Sequence, residues 1–577
     1  KKIFEAFGDF LKGYNPEQKK AIIEQGKSIL CIAGAGTGKT TVLTKRIEYL
    51  AKLKAVPTEK ILAITFTRKA RQEMIRRLEK LIPGHKVKVE TFNSFCEKLL
   101  RRHSDIAYEK EYEVIDFKTK IQLVNEALEK MDYTLDFALD AYFHSKSRNY
   151  DKQEKFFEFL RDVFSIIDHY ENNEKPIEEF GKIIKKLARG EDKQTSYFIY
   201  NLIKEINQLK QEKGVRDYTD QIVHVLRLFK SNPELIPRFN HVLVDEYQDV
   251  NRIQVKLLNK LKPKNLFVVG DPRQSIYGWR GSKIRYILNF TRDHEGSSVI
   301  QLTKNYRSGK DIVNMGNKVI KTMNLPDLEP MIESEKPIVM IKHNSENSES
   351  LFIAQSILSQ QIQRDEIFIL ARTNKQLDNI AHVLGQHNIK FLKRTIDDEK
   401  QDIMPKEDEI TLSTVHAIKG LEAELIYMIG VNSQMYPCMV SDHPVLELAK
   451  TDEYYDKHDE ELRLLYVGLT RAKKQLVVSY YSTLSRFITD EIKNTLTENV
   501  NTAYTKQNPD DIITKLRDWR TEISERERIP PYIVFPDKTM LELANTMPTS
   551  LEELKYVHGF GPSKIARYGN QIIELLS

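Results

Sequence analysis

The stretch Ala33-Gly34-Ala35-Gly36-Thr37-Gly38-Lys39-Thr40 combines glycines, a lysine and a hydroxyl in a spacing suited to holding phosphate. Glycines let successive backbone N–H groups turn inward around phosphate oxygens, and the start of a following helix adds partial positive charge. Lys39 would reach the β and γ phosphates of a nucleoside triphosphate, and Thr40 would ligate Mg2+. The strict pattern opens on glycine, where this chain has Ala33. Farther along, Asp245-Glu246-Tyr247-Gln248-Asp249 follows an apolar run. A carboxylate at a strand's end suits Asp245 to hold the metal opposite Thr40, and Glu246 to polarise a water for in-line attack. An isolated acidic pair is more often a solvated turn, but the apolar strand before it and the upstream phosphate loop reverse that reading.

These residues need elements that bring them together. Short apolar, β-rich runs recur at 28–32, 61–66, 241–245, 265–270, 298–302, 366–371, 409–413, 424–430 and 475–480, each followed by a turn and a helical pattern. Continuous apolar strands alternating with helices predict parallel sheets covered on both faces. The runs fall into two groups, hence two α/β domains. Residues 97–215 are rich in Lys, Glu, Phe and Leu at helical spacing and predict a helical insertion in the first domain. Residues 500–508 read as a linker, followed by a compact tail with a Pro-Pro pair and Gly559-Phe560-Gly561. The chain has 577 residues, 40% hydrophobic and 30% charged, which excludes wholesale disorder. The net charge of +6 is weak evidence for a polyanionic partner. Cys31, Cys96 and Cys438 are far apart in sequence, giving neither a CxxC pair nor a disulfide framework, and a reducing, cytoplasmic setting fits. No apolar run approaches the ~18 residues that span a bilayer, so no membrane association is expected.

Over roughly residues 12–480 the chain resembles the UvrD/Rep/PcrA group of superfamily 1 DNA helicases, with that group's motifs in order. Asn15–Ala21 resembles the Q motif, Thr65–Ala70 motif Ia and Thr91–Phe95 motif Ib. Asp245–Asp249 resembles motif II, Val268–Gly281 motif III and Asn305–Ser308 motif IV, while Thr414–Glu422 resembles motif V and Leu465–Lys473 motif VI. The resemblance implies an α/β fold: two RecA-like parallel-sheet domains, a helical insertion called 1B in the first, and ATP with Mg2+ in the cleft between them. Domain 1A would comprise 1–96 and 216–285, 1B 97–215, and 2A 286–499. Arg307 and Arg471 would cross to the γ phosphate, Gln274 would link that phosphate to the DNA side, Gln18 would read adenine, and Glu422 would contact the ribose. Relatives carry Arg after the P-loop threonine; Thr41 stands there, leaving Tyr306 to hold one adenine face alone. Asn93 replaces a usual His, and Ile418 a usual Ala.

The implied single-strand track runs through Phe66, Thr67, Asn93, Tyr277, Trp279 and Arg280, with His416 from the second domain. Aromatic rings beside cations offer stacking platforms worth ~1–3 kcal/mol per base, with little sequence preference. Relatives insert a large 2B subdomain before motif V; only about 375–408 is available for it here, so 2B is expected to be reduced. The tail, 509–577, resembles an all-α HRDC bundle, with Lys564 and Arg567 as candidate phosphate contacts. The leading expectation is a monomeric ATP-dependent 3′→5′ helicase and translocase acting on single-stranded and tailed duplex DNA. A translocase that strips proteins, and an ATPase subunit of a larger assembly contacting protein through HRDC or 1B, remain as alternatives.

Overall fold

Short strands buried along nearly their whole length, on both faces, build two parallel sheets. The computed structural model describes residues 8–576 apart from 109, 111, 144–150, 396–402, 440, 452–455, 495, 501–508, 528, 547, 549–550 and 556. Most of the expected linker, 501–508, and part of the 375–408 stretch therefore lie outside the described residues. The chain divides into two units: Lys1–Arg307, Pro326–Glu329 and Met439–Arg463 in the first, and Ser308–Leu325, Pro330–Cys438 and Leu464–Ser577 in the second.

The first unit contains β1 (Ser28–Ala33), β2 (Ile61–Thr65), β3 (Lys88–Thr91), the short β4 (Glu113–Val114) and β5 (Val215–Arg216), then β6 (His241–Val244), β7 (Asn265–Gly270) and β8 (Ser298–Leu302). Six of them form one sheet in the order β3-β2-β6-β7-β1-β8, every pairing parallel. Alternate residues face opposite cores. Leu62, Ile64, Val242, Val244 and Val268 meet Phe92, Phe95, Val225 and Phe229 from the helices Phe92–Arg102 and Tyr218–Ser231. Ala63, Leu243, Phe267 and Val269 meet Val42, Ile47, Met74 and Leu78 on the other face. Because β8 pairs with β1, the first sheet runs past the expected boundary at 285. The helix Phe92–Arg102 likewise belongs to this sheet's core, so the insertion starts later than 97.

The insertion is instead framed by β4 and β5, which pair in parallel, Glu113 with Val215 and Val114 with Arg216. Between them the helices Phe117–Lys130, Leu135–Phe143, Lys152–Asn172, Glu178–Leu187 and Gly190–Lys213 enclose a separate core. The helix Pro444–Ala449, expected in the second domain, completes that core with Val445, Leu446 and Ala449. His443 stacks on Tyr142 at 3.7 Å between centroids, and its Nε2–H donates to the Tyr142 carbonyl at 2.8 Å. Tyr170 Oη donates to the Ala449 carbonyl at 3.2 Å. At the base of the insertion, Arg216 pairs with Glu97 at 2.9 Å. Asp168, Glu171 and Asp217 gather there as a metal-like carboxylate cluster, but Lys210 already supplies the cation, its Nζ 2.7 Å from both Asp217 and Asp220.

The chain changes unit within β9 (Lys304–Gly309) and β10 (Glu329–Ile332). The second unit then adds β11 (Val339–Lys342), β12 (Ile367–Ala371), β13 (Phe391–Arg394), β14 (Ile410–Thr414), β15 (Ala423–Met428), β16 (Ala472–Tyr480) and β17 (Thr497–Val500), in the order β13-β14-β12-β15-β16-β11-β17. Its pairings are also parallel. The helix Asn374–Gln386 buries Leu377, Ile380 and Leu384 in the core of this sheet, and β13 is its edge strand. Residues 375–394, within the 375–408 stretch expected to hold the reduced 2B, are thus part of the sheet domain itself. The tail is all-helical around its own core, including Leu516, Phe535, Leu543, Phe560 and Ile572.

Candidate functional site

In an open parallel sheet the loops that carry chemistry emerge from the carboxyl ends of the strands. Strand order therefore decides which motifs meet. Along the first sheet's carboxyl edge stand Asn93 beyond β3, Phe66 beyond β2, Asp245 and Glu246 beyond β6, Gln274 beyond β7, the phosphate loop beyond β1, and Asn305 beyond β8.

The phosphate loop leads from Ala33 into the helix Lys39–Lys52. Gly36 (φ +69°) and Gly38 (φ +86°) occupy left-handed backbone that residues with a Cβ adopt at a cost. Thr37 Oγ1 donates to the Gly34 carbonyl at 2.9 Å and turns the loop back on itself. Gln18, expected to read adenine, donates its Nε2–H to the Thr37 carbonyl at 3.0 Å, and its Oε1 accepts from Asn15 N at 3.1 Å. Asn305 Nδ2 donates to the Ala35 carbonyl at 2.8 Å, and Tyr306 N to the Gly36 carbonyl at 2.9 Å. Asn305 Oδ1 accepts from Arg307 N at 2.9 Å, which seats Arg307 against Gly36. Tyr306 is exposed, with its hydroxyl accepting from Asn15 Nδ2 at 3.0 Å. Thr41 is exposed on the first turn of the helix.

Lys39 Nζ lies 3.3 Å from Glu246 Oε1. Glu246 itself sits at φ +49°, left-handed backbone that costs a non-glycine residue about 1–3 kcal/mol. Its N–H donates to Asp245 Oδ1 at 2.9 Å, one of the contacts that holds the turn. Burial, then the neighbouring Glu246, pushes the Asp245 carboxyl up to about 7, with Lys39 opposing. A divalent cation would reverse that shift, and a carboxylate with the Thr40 hydroxyl is a hard-oxygen set of the kind Mg2+ takes.

A hydrogen-bond chain leads away from Glu246. Gln248 Nε2 donates to Glu246 Oε2, and Gln248 Oε1 accepts from Asp271 N at 2.9 Å. Gln274 Nε2 donates to Asp271 Oδ2 at 2.9 Å, and Ser275 Oγ donates to the Gln248 carbonyl at 3.1 Å. Gln248, Asp271, Gln274 and Ser275 are all buried. The loop that follows carries Tyr277 and Trp279, both half-buried, and the exposed Arg280, whose guanidinium lies 4.6 Å from the Trp279 ring centroid. Phe66 is half-buried and meets Phe92 edge-on at 5.9 Å. Thr67 caps the helix Arg68–Leu81, its Oγ1 accepting from Ala70 N at 3.1 Å. Asn93 turns its amide to the Tyr218 carbonyl and Gln221 Oε1 rather than outward.

In the second unit the expected residues divide between two edges. Glu422 precedes β15 and Arg471 precedes β16, neighbouring strands, and Ala423 N donates to the Arg471 carbonyl at 3.2 Å. Arg471 is buried and donates its Nε–H to the Val467 carbonyl at 3.0 Å. Ser308 Oγ donates to the Ala472 carbonyl at 2.6 Å, beside it. His416, half-buried, follows β14 at the opposite, carboxyl edge. In the tail, Gly559 takes φ +91°. Lys564 is half-buried, and Arg567 is paired with Glu527 at 2.9 Å.

Sequence reasoning missed Asn15, Gln248, Asp271 and Asn305. All lie inside or beside the motifs, but spacing alone does not reveal that their amides and carboxylates brace backbone.

Residues 14–295 match the model of the UvrD/REP helicase N-terminal domain, 300–396 and 390–483 that of the UvrD-like helicase C-terminal domain, and 510–576 that of the HRDC domain. A probable DNA helicase of Mycoplasma pneumoniae is 30% identical over 494 residues, which cover 80% of this chain and 82% of that protein. The ATP-dependent DNA helicase PcrA of Staphylococcus epidermidis is 30% identical, covering 90% of this chain and 69% of its own length. PcrA of Bacillus subtilis is 35% identical over 66% of this chain and 50% of its own. Among the described residues no helix is long and apolar enough to cross a membrane. By these matches the chain belongs to the UvrD/REP helicase family and carries an HRDC domain after its helicase domains.

Proposed function

We propose that the protein is an ATP-dependent DNA helicase and translocase that moves 3′→5′ along single strands and opens tailed duplexes. The observation that carries this reading is the relay Glu246–Gln248–Asp271–Gln274, buried from Gln248 onward. It connects the residue placed to polarise the attacking water with the loop that bears Tyr277, Trp279 and Arg280.

Lys39 leaves its ion pair with Glu246 to meet the phosphates of ATP, which frees the Glu246 carboxylate to accept a proton from water. Thr40 and Asp245 would hold Mg2+, which would supply charge neutralisation at the phosphates. Arg307, seated by Asn305, and Arg471, from the second unit, stabilise charge on the transferring phosphoryl group. Tyr306 offers one face to adenine, Glu422 meets the ribose, and Gln274 reports the γ phosphate to the aromatic loop. Bases of a single strand stack on Phe66, Tyr277 and Trp279, with Thr67, Arg280 and His416 along the backbone, while Asn93 is committed to the Tyr218 carbonyl and Gln221. Lys564 and Arg567 of the HRDC domain add a second, weaker contact to nucleic acid, the pairing of Arg567 with Glu527 limiting its share.

ATP turnover with and without single-stranded homopolymers tests the coupling. At least tenfold stimulation by single strands, and little by blunt duplex, is expected in the wild type, with stimulation lost in Gln274→Ala. Equal rates with and without DNA would contradict it.

A further inference from the structure

The loop that carries Tyr277 and Trp279 is gripped from outside the first sheet's own sequence. The helix Lys457–Leu469 begins between motifs V and VI and runs into motif VI, and its early turns belong to the first unit. There Glu460 Oε2 accepts from Gly278 N at 2.9 Å, and Arg463 Nε donates to the Ser275 carbonyl at 2.7 Å. Glu460, Arg463 and Ser275 are buried, with 4%, 7% and 2% of their surfaces exposed. Residues i and i+3 share one face of a helix, so one helix face holds both ends of the Ser275–Gly278 turn. Charged groups make both bonds, and such bonds are the stronger kind and fix geometry. The same helix ends at Leu469, and Arg471 follows two residues on.

We propose that Glu460 and Arg463 are positioning residues that couple the nucleotide state to the single-strand platform. The helix is stiff, so a displacement of the Arg471 end when phosphate is bound or released reaches the Ser275–Gly278 backbone through these two side chains. Gln274 approaches the same loop from the sheet side; Glu460 and Arg463 give it a second, independent input. The proposal rests on the reading of Trp279 as a DNA platform.

The chain has two tryptophans, so a Trp519→Phe background leaves Trp279 as the reporter. In that background single-stranded DNA is expected to change Trp279 emission, and a non-hydrolysable ATP analogue to change the DNA-bound signal further. Glu460→Ala is expected to keep the response to DNA but lose at least two-thirds of the response to nucleotide. It should also lower DNA stimulation of ATP turnover about tenfold while DNA-free turnover stays within twofold. Glu460→Gln keeps a carbonyl oxygen for Gly278 N and should restore both readouts, which a merely structural role would not require. If Glu460→Ala does not fold, Arg463→Lys carries the same expectation, because it sets a methylene where Nε donates. A full nucleotide response with either variant overturns the coupling role. If Trp279 emission ignores DNA in the parent, the platform reading falls, and the coupling role with it.

Discussion

Replacing Asn305 with alanine should disable ATP turnover more than it disturbs folding. The side chain makes a buried bond, Nδ2 to the Ala35 carbonyl at 2.8 Å, and a partly buried one, Oδ1 from Arg307 N at 2.9 Å. Removing one partner of a buried bond costs the desolvation of the group left behind, ~1–3 kcal/mol each. The pair therefore amounts to at most about 2–6 kcal/mol, some of it recovered by water entering the smaller side chain's space. Both bonds set the site, one fixing the phosphate loop against β9 and the other seating Arg307. Most of the loss should therefore appear as lost transition-state stabilisation, a fall in kcat/KM for ATP of ~30- to 1,000-fold at ~1.4 kcal/mol per decade. Steady-state turnover with saturating single-stranded DNA reads this directly. Asn305→Ala combined with Arg307→Ala should be markedly less than additive, since one residue acts through the other. Turnover within threefold of wild type, or full additivity, would refute the assignment of Asn305 as the brace of this site.

Three further expectations follow from particular contacts. Glu246→Gln should bind ATP, because Lys39 loses only an ion partner, yet hydrolyse it at least a hundredfold more slowly, as nucleotide binding and single-turnover rates together will tell. Thr41→Arg should tighten nucleotide binding several-fold by adding a guanidinium opposite the exposed Tyr306 ring, and an unchanged fluorescent-nucleotide affinity would argue that adenine does not stack there. Asp162 is buried in the insertion core, where desolvation raises its carboxyl to about 6, opposed by the Tyr142 hydroxyl at 2.8 Å. A raised carboxyl stabilises the fold below the unfolded value near 4 and loses that advantage as pH rises through about 6. The loss is at most about 3 kcal/mol at ~1.4 kcal/mol per pKa unit. Asp162→Asn should therefore raise the melting temperature at pH 8 and leave it nearly unchanged at pH 4, whereas an equal shift at both would contradict that origin.

The phosphate loop and the acidic strand end were legible because their signal is local: apolar run, glycine turn, helix. The alternation of strands and helices likewise announced two parallel sheets. Partner choice was less legible. Nothing in the run 298–302 says that β8 will pair with β1 rather than open the second sheet, since both environments demand the same apolar strand. The helix Phe92–Arg102 has the spacing of the insertion's helices but buries Phe92, Phe95 and Cys96 against the sheet. The helix Pro444–Ala449 shows an apolar face in sequence, yet its destination in the insertion core depends on His443 and Tyr142, 301 residues apart. The roles of Asn305 and Gln248 depend on backbone carbonyls and amides, which leave no trace in residue type.

The central claim is a motor that couples ATP turnover at the first sheet's edge to directed movement on single strands. Matched duplexes bearing a 3′ or a 5′ single-stranded tail, mixed with dilute protein, Mg2+ and ATP, test it most directly. Unwinding of the 3′-tailed duplex and not the 5′-tailed one, abolished in Lys39→Ala, is the expected result. Unwinding that begins from the 5′ tail, or that persists in Lys39→Ala, would contradict the account.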